Sequence, residues 1–484
     1  MLHIPAIRQG NSYKSLEKST LVHHATGDPL AEVSQVTGSM VVRDLAKLEN
    51  ARRELHAIPM SDLIERVKLA GKLFGSAELP LGDTSQSFEE YLRSLSGTTG
   101  APVVFCRRNA LKVQYVLENI DEILAGLTRG LDLKVLDSGH GIQDGRTLCF
   151  YPATSSFGAI LPSNSPGVHS LWVPSIALKI PLVLKPGREE PWTPFRVLQA
   201  YKAAGIPSSA LNMFPTDHGG AGEILRGCGR SMLFGDSITT DSYRNDPRVE
   251  LHGPGYSKVI LGDDAADRWP EFIDLMVESI CANGGRSCIN ASAIWTPRHG
   301  QEIANAVGAR MAMINARSWD DPSAELSAFA NPDIADRISG MIDHLLSTPG
   351  AEDIAQRIRG TSRLVRQGRC AWLLPSVVLC DTPEHPLANK EFLFPYASVV
   401  ECPQEDVLDR IGPTLVGSVL TEDSIFVEQL LACRHIERLN VGPLSTIRLT
   451  WDQPHEGNLF THLYRQRAFA QAPLPQHGKV FGAG

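Results

Sequence analysis

From Phe157 to Phe234 the chain repeats one pattern: a short apolar run, a turn, then a helical stretch. The runs are Phe157-Gly158-Ala159-Ile160-Leu161, Ile180 to Lys185, Leu211-Asn212-Met213-Phe214 and Ser231-Met232-Leu233-Phe234. Near-continuous apolar runs of this length fit strands buried on both faces. Pro186 stops the second run. The helix predicted from Pro191 to Ala204 ends at Gly205, with Pro207 two residues on, the usual stop signal. Short strands alternating with helices predict an α/β fold with a parallel, doubly wound sheet. Ligands of such sheets sit beyond the carboxyl ends of the strands. The loops Pro162 to Pro166, Lys185 to Glu189 and Gly235 to Thr240 are therefore the first places to look for a site.

Around this core other elements can be read. Met60 to Ala70 and Tyr115 to Leu127 carry apolar residues at helical spacing. Leu133-Lys134-Val135-Leu136 and Thr147 to Tyr151 are β-prone runs separated by a Gly/Asp/Ser-rich stretch, so a hairpin is expected. A second α/β region starts near Lys258, with a helix from Pro270 to Ala282, strands at Trp372 to Leu379 and Ser398 to Val400, and a helix from Ser424 to Cys433. With 484 residues and about 150 per domain, two or three domains are expected.

Composition narrows the partners. The formal charge is −8, with both signs scattered, and no basic stripe marks a nucleic-acid surface. Met1 to Pro5 lacks a charged segment followed by an apolar one, so no signal peptide is expected. The most apolar stretch, Leu171 to Leu184, is broken by Pro174, Lys179 and Pro181 and is too short to span a bilayer. The nine cysteines are odd in number and include no CxxC pair, which argues against a disulfide framework and a zinc site. A reduced, cytoplasmic protein without a metal is the expectation.

One cysteine stands out by context. In Asn283-Gly284-Gly285-Arg286-Ser287-Cys288 two glycines suit a tight turn with close backbone approach. A helix starting near Cys288, together with Arg286, would favour thiolate over thiol. The competing reading is a buried thiol acting as a small hydrophobe.

The same segment resembles the asparagine-x-glycine-glutamine-x-cysteine motif of the aldehyde dehydrogenase superfamily, with Arg286 in place of glutamine. Four further segments resemble that family in the right order: Pro162-Ser163-Asn164-Ser165-Pro166, Val183-Leu184-Lys185-Pro186, Val249-Glu250-Leu251-His252-Gly253 and Glu391-Phe392-Leu393-Phe394-Pro395. The similarity covers roughly residues 100 to 440, and five ordered motifs are specific where one is not. The resemblance implies a Rossmann-type cofactor domain (1–132 and 154–252), an α/β catalytic domain (253–440) and a small β bridging element (133–153 and 459–484) that pairs across a subunit interface in a homodimer or homotetramer. It implies NAD or NADP as cofactor. Cys288 would be the nucleophile, Asn164 an oxyanion donor and Glu250 the base for deacylation. Lys185, Gly235, Ser237 and Glu391 would hold the cofactor.

Departures from the family pattern keep alternatives open. Arg188 stands where many members that use NAD carry a glutamate, and an arginine there suits a 2′-phosphate. Asp236 in Phe234-Gly235-Asp236-Ser237 puts a carboxylate near the expected pyrophosphate. His252-Gly253-Pro254-Gly255-Tyr256-Ser257-Lys258 is similar to the fatty acyl-CoA reductase branch, which runs from acyl thioester to aldehyde. Three readings follow: oxidation of an aldehyde to an acid, favoured by Glu250; reduction or CoA-dependent exchange of an acyl thioester; and a non-catalytic member of the fold. His455-Glu456 is a further segment that could line the substrate mouth. His169 and Trp172 are expected in the core rather than in a tunnel wall.

Overall fold

The computed structural model describes residues 1–450, 453 and 457–472. Two seven-stranded sheets dominate it. In the first, the parallel strands Phe157–Ile160, Leu182–Lys185, Leu211–Met213, Arg230–Phe234 and Val249–His252 lie in the spatial order fifth, fourth, first, second, third. Phe157 pairs with Leu182 on one side and Arg230 on the other. The order reverses between Phe157–Ile160 and Arg230–Phe234. That reversal opens a crevice at the carboxyl ends of these two strands, the usual ligand site of open α/β sheets. All four residues of Phe157–Ile160 are buried, as a strand covered on both faces requires. The strands expected from the apolar runs are all present.

The amino-terminal segment extends this sheet. Ala6–Arg8 pairs antiparallel with Leu211–Met213 and carries Asn11–Tyr13 at the edge. In the second sheet Lys258–Leu261 lies inside, flanked by Ala293–Thr296 and Thr414–Leu420. Tyr396–Glu401 and Ser376–Cys380 continue it on one side and Ile436–Val441 on the other, with Ala351–Asp353 antiparallel at the edge. A third, three-stranded sheet joins His140–Gln143, Arg146–Pro152 and Tyr464–Gln466.

Three expectations are corrected. The hairpin exists, but Leu133 to Leu136 is not its first strand. Asp132 accepts the backbone N–H of Lys134 on its side chain and that of Val135 on its carbonyl, which starts a turn and the short helix Val135–Ser138. The strand begins at His140. The helix expected over Tyr115 to Leu127 is split into Val103–Glu118 and Ile120–Thr128. At the break, Asn119 donates its side-chain amide to the Tyr115 carbonyl, the local competition that makes asparagine a poor helix interior. The run Trp372 to Leu379 is two strands, Cys370–Leu373 and Ser376–Cys380, parted at Pro375, which has no N–H to give a ladder. Among the described residues no helix is long and apolar enough to cross a membrane.

Candidate active site

Cys288 lies between the two sheets, at the amino end of Ala293–Thr296. The expected helix at Cys288 is absent. The helix Ile273–Cys281 ends before it, and residues 287–290 form a turn. Asn290 closes that turn: its backbone N–H reaches the Ser287 carbonyl at 2.9 Å, and its Oδ1 accepts from the Ser287 N–H at 3.0 Å. The Asn290 amide also donates to Ser279 and Ala282 carbonyls, which ties the turn to the preceding helix. Asn283 (φ 54°), Gly284 (φ 67°) and Gly285 (φ 65°) supply three consecutive left-handed residues before the cysteine. A Cβ on Gly285 would meet the Pro395 nitrogen at 2.4 Å. The glycine is thus required both by its dihedral and by the close passage of the Glu391-to-Pro395 segment.

Neighbouring elements clamp this loop. The Asn164 amide donates to the Arg286 carbonyl at 2.9 Å, so the loop after strand Phe157–Ile160 is joined to the cysteine loop. Asn283 accepts from the Asn109 amide at 2.8 Å and donates to Ser165 Oγ at 3.2 Å. Ser257 Oγ donates to the Cys288 carbonyl at 2.8 Å. Gly255 packs on that same carbonyl, where a Cβ would come within 2.0 Å.

Arg286 does not serve as expected. Its guanidinium is buried, donates Nη2 to the Ser327 and Ala328 carbonyls and lies over the Phe329 ring at 4.8 Å. Burial pushes its pKa down to about 10. It anchors the loop from below.

All nine cysteines are thiols. Burial pushes Cys228, Cys281 and Cys380 up to about 12 and Cys402 to about 11, and raises Cys106 further, so these stay protonated. Cys288 is only half-buried and lines a cavity of about 200 Å³ together with Asn109, Arg108, Lys112, Ser165, Leu171 and Ile447.

Glu250 sits on the first sheet's edge strand. Its carboxylate lies 3.2 Å from His252 Nε2 and 3.9 Å from His462 Nδ1, with Gly457 packed against it. It lines a second cavity of about 460 Å³ that includes Pro254 and Gly255. Gly255, on the wall of this second cavity, packs against the Cys288 carbonyl. Glu391 accepts the Tyr256 N–H at 2.7 Å. Beside it Lys258, 1 % exposed, donates to the Tyr256 carbonyl at 2.8 Å and Thr414 Oγ1 at 3.0 Å. Burial, partly offset by Glu391, lowers the Lys258 pKa to about 7.

Lys185 ends the second strand, half-buried, its pKa lowered by burial against the pull of Glu189. Arg188 is exposed in the loop beyond, which Ser163 Oγ ties to the neighbouring loop by accepting the Glu189 N–H at 3.1 Å. Gly235 and Ser237 follow the strand across the crevice. Asp236 turns back on the short helix Ser237–Asp241 and accepts from the Thr239 N–H at 2.9 Å and Oγ1 at 2.8 Å, which lowers its pKa. The carboxylate thus caps the helix instead of facing the crevice. His169 and Trp172 are fully buried: Trp172 Nε1 donates to His169 Nδ1 at 3.0 Å, and His169 Nε2 meets Glu190 at 2.7 Å. They are core, as expected. His455 and Glu456 lie outside the described residues.

Asn109, Ser257, Lys258 and Asn290 were not legible as site residues. Asn109 meets Asn283 across 174 positions, and no local pattern marks such a pair.

The loop that carries Cys288 is joined through Asn164 to the crevice of an open α/β sheet, an arrangement suited to a dinucleotide-dependent oxidoreductase. The aldehyde dehydrogenase family model matches residues 12–424, and the chain belongs to that family. Its reaction is the NAD(P)-dependent oxidation of an aldehyde. The fold is similar to a 3,6-anhydro-L-galactose dehydrogenase (15 % identity, TM-score 0.76, 96 % of this chain and 99 % of that one). It is similar to an NADP-dependent glyceraldehyde-3-phosphate dehydrogenase from Bacillus halodurans C-125 (15 %, 0.77, 96 % and 98 %). A third similar structure is a succinate-semialdehyde dehydrogenase from Burkholderia pseudomallei (15 %, 0.76, 96 % and 97 %).

Two outcomes test this geometry. Gly285→Ala is expected to cost at least about 2 kcal/mol of stability in urea unfolding, from strain and collision together. Lys258 has a lower pKa folded than unfolded, so the unfolded chain binds the extra proton between pH 7 and the ordinary lysine value of 10.5. Its contribution to stability therefore rises with pH across that window. Wild type should gain in urea midpoint on Lys258→Met as pH goes from 7 to 9.

Proposed function

We propose that Cys288 is the nucleophile of this aldehyde oxidation and that its thioester is released to water with Glu250 as base. The observation that carries the reading is the position of Cys288, on one cavity wall and backed, through Gly255, by the cavity of Glu250. The sulfur attacks the carbonyl carbon and the oxygen becomes an alkoxide. The Asn164 amide and the Cys288 backbone N–H would donate to it. Asn164 spends one N–H on the Arg286 carbonyl, which aims the group at the cysteine loop.

The crevice fits a dinucleotide: it lies at the topological switch, Lys185 and Gly235 stand at the ends of its strands, and Asp236 is turned into its own helix. Lys185, Gly235, Ser237 and Glu391 would hold NAD or NADP, with the exposed Arg188 available to a 2′-phosphate. A nicotinamide held there would supply the hydride acceptor through which the carbon attached to the Cys288 sulfur becomes a thioester. Glu250 then takes a proton as water attacks the acyl carbon, and the thiolate departs from the acid. His252 at 3.2 Å holds the carboxylate and can share the proton.

We infer the domain roles from the same frame: 1–132 with 154–252 for the cofactor, 253–440 for the nucleophile, and 133–153 with 459–484 as a bridge, of which 473–484 lie outside the described residues. The strand His140–Gln143 leaves an open edge with Ile142 75 % exposed, suited to pairing in a homodimer or homotetramer. Nine thiols without a disulfide suit the reducing cytoplasm.

Cys288→Ser should abolish aldehyde-dependent reduction of NAD(P). Glu250→Gln should keep a burst of about one equivalent of reduced cofactor per site, with the following steady rate lowered about 100-fold or more. Added CoA should leave the wild-type rate unchanged. A strict requirement for CoA would overturn water as the acceptor.

A further inference from the structure

The chain that crosses from the first sheet to the second contains a residue in a conformation its side chain disfavours. Tyr256 has φ 47°, in the left-handed region where a Cβ crowds the following carbonyl. A glycine accepts this geometry freely, whereas a tyrosine must be held in it. Both neighbours of Tyr256 touch the Cys288 carbonyl. Ser257 Oγ donates to it at 2.8 Å, and a Cβ on Gly255 would come within 2.0 Å of it. Relaxation of Tyr256 towards negative φ would therefore swing one of these neighbours off the cysteine backbone.

The two neighbours are tied to strand backbone. The Leu415 N–H reaches the Gly255 carbonyl at 2.8 Å, the Val416 N–H reaches Ser257 Oγ at 3.2 Å, and the Ser292 N–H reaches the Ser257 carbonyl at 2.7 Å. The backbone groups of Tyr256 go to side chains instead. Glu391 accepts its N–H at 2.7 Å, and Lys258 Nζ donates to its carbonyl at 2.8 Å. Lys258 is buried, so packing fixes its direction. Thr414 Oγ1 gives its own proton to the Gly412 carbonyl at 3.2 Å and accepts a second Lys258 N–H at 3.0 Å. Two acceptors match the two N–H groups that even a neutral amine retains. Burial lowers the Lys258 pKa to about 7, and the hold on the carbonyl persists on either side of that value.

We propose that Lys258 is a positioning residue for the reaction: with Glu391 on the N–H side, its amine locks the Tyr256 backbone in the left-handed form and so keeps Gly255 and Ser257 on the Cys288 carbonyl. The proposal rests on Cys288 being the nucleophile of the site. Lys258 acts through the backbone of Tyr256 and not on the reacting atoms.

The test uses glycine as the residue that needs no clamp. Lys258→Met is made in three full-length chains: wild type, Tyr256→Gly and Tyr256→Ala. In wild type it should lower kcat/KM for the aldehyde about ten-fold, the scale of holding one side chain in the left-handed region. In the Tyr256→Gly chain the same substitution should cost less than about two-fold, because the two positions are coupled through the clamp. The Tyr256→Ala chain lacks the ring but keeps the Cβ, and there the full loss should return. Equal losses in all three chains, or no loss in wild type, overturn the proposal. Rescue by alanine as complete as rescue by glycine would place the effect in the ring and also overturns it. If Lys258→Met alone does not fold, the Lys258→Met/Tyr256→Gly chain should fold, since glycine holds the turn unaided, and failure of that chain overturns the proposal too. Turnover that survives Cys288→Ser would instead fail the nucleophile reading, and that result is separate from the Lys258 comparison.

Discussion

The carbonyl of Cys288 is the point on which the two sheets converge. Ser257 Oγ donates to it, and Gly255 lies so close that no side chain fits there. Both residues belong to the short crossing between Val249–His252, the edge strand of the first sheet, and Lys258–Leu261, an interior strand of the second. This passage of chain from the first sheet to the second is thus fastened to the backbone of Cys288, the proposed nucleophile. Any change in how the sheets sit against each other moves the cysteine relative to the crevice. The candidate catalytic groups, Asn164 and Glu250 from the first sheet and Cys288 from the second, depend on that fastening for their mutual placement.

The crossing is itself held at Tyr256, a residue with φ 47° that only surrounding contacts can keep in place. Glu391 accepts its N–H and Lys258 donates to its carbonyl. A buried amine is expensive unless its protons find acceptors, and Lys258 finds two. The glutamate that resembles the family's ribose-binding residue therefore has a structural partner on the crossing. The cofactor contact proposed for Glu391 and the position of the proposed nucleophile would thus be linked through one residue.

What the sequence revealed follows from the range of the forces involved. The parallel strands were legible because each is a continuous apolar run cut off by proline or glycine, as at Pro186 and Gly205. The order of motifs was legible because those loops must follow particular strands. Cys288 could be singled out, but not its setting: the helix expected to lower its pKa is a turn stapled by Asn290, and Arg286 points to Ser327 and Ala328. Those outcomes depend on where distant loops pack. Asp236 shows the same limit. Its position beside the crevice was visible, whereas its choice to cap Thr239 is a local hydrogen bond that only the backbone geometry settles. The split of Tyr115 to Leu127 came from a single asparagine side chain competing with the helix.

The most direct test of the account is to find the acyl group. Wild-type protein mixed with aldehyde and NAD(P), quenched in acid within one turnover and mapped by mass spectrometry, should carry the acyl mass on the peptide containing Cys288. Turnover with that peptide unmodified, or with the acyl mass on another cysteine, would contradict it.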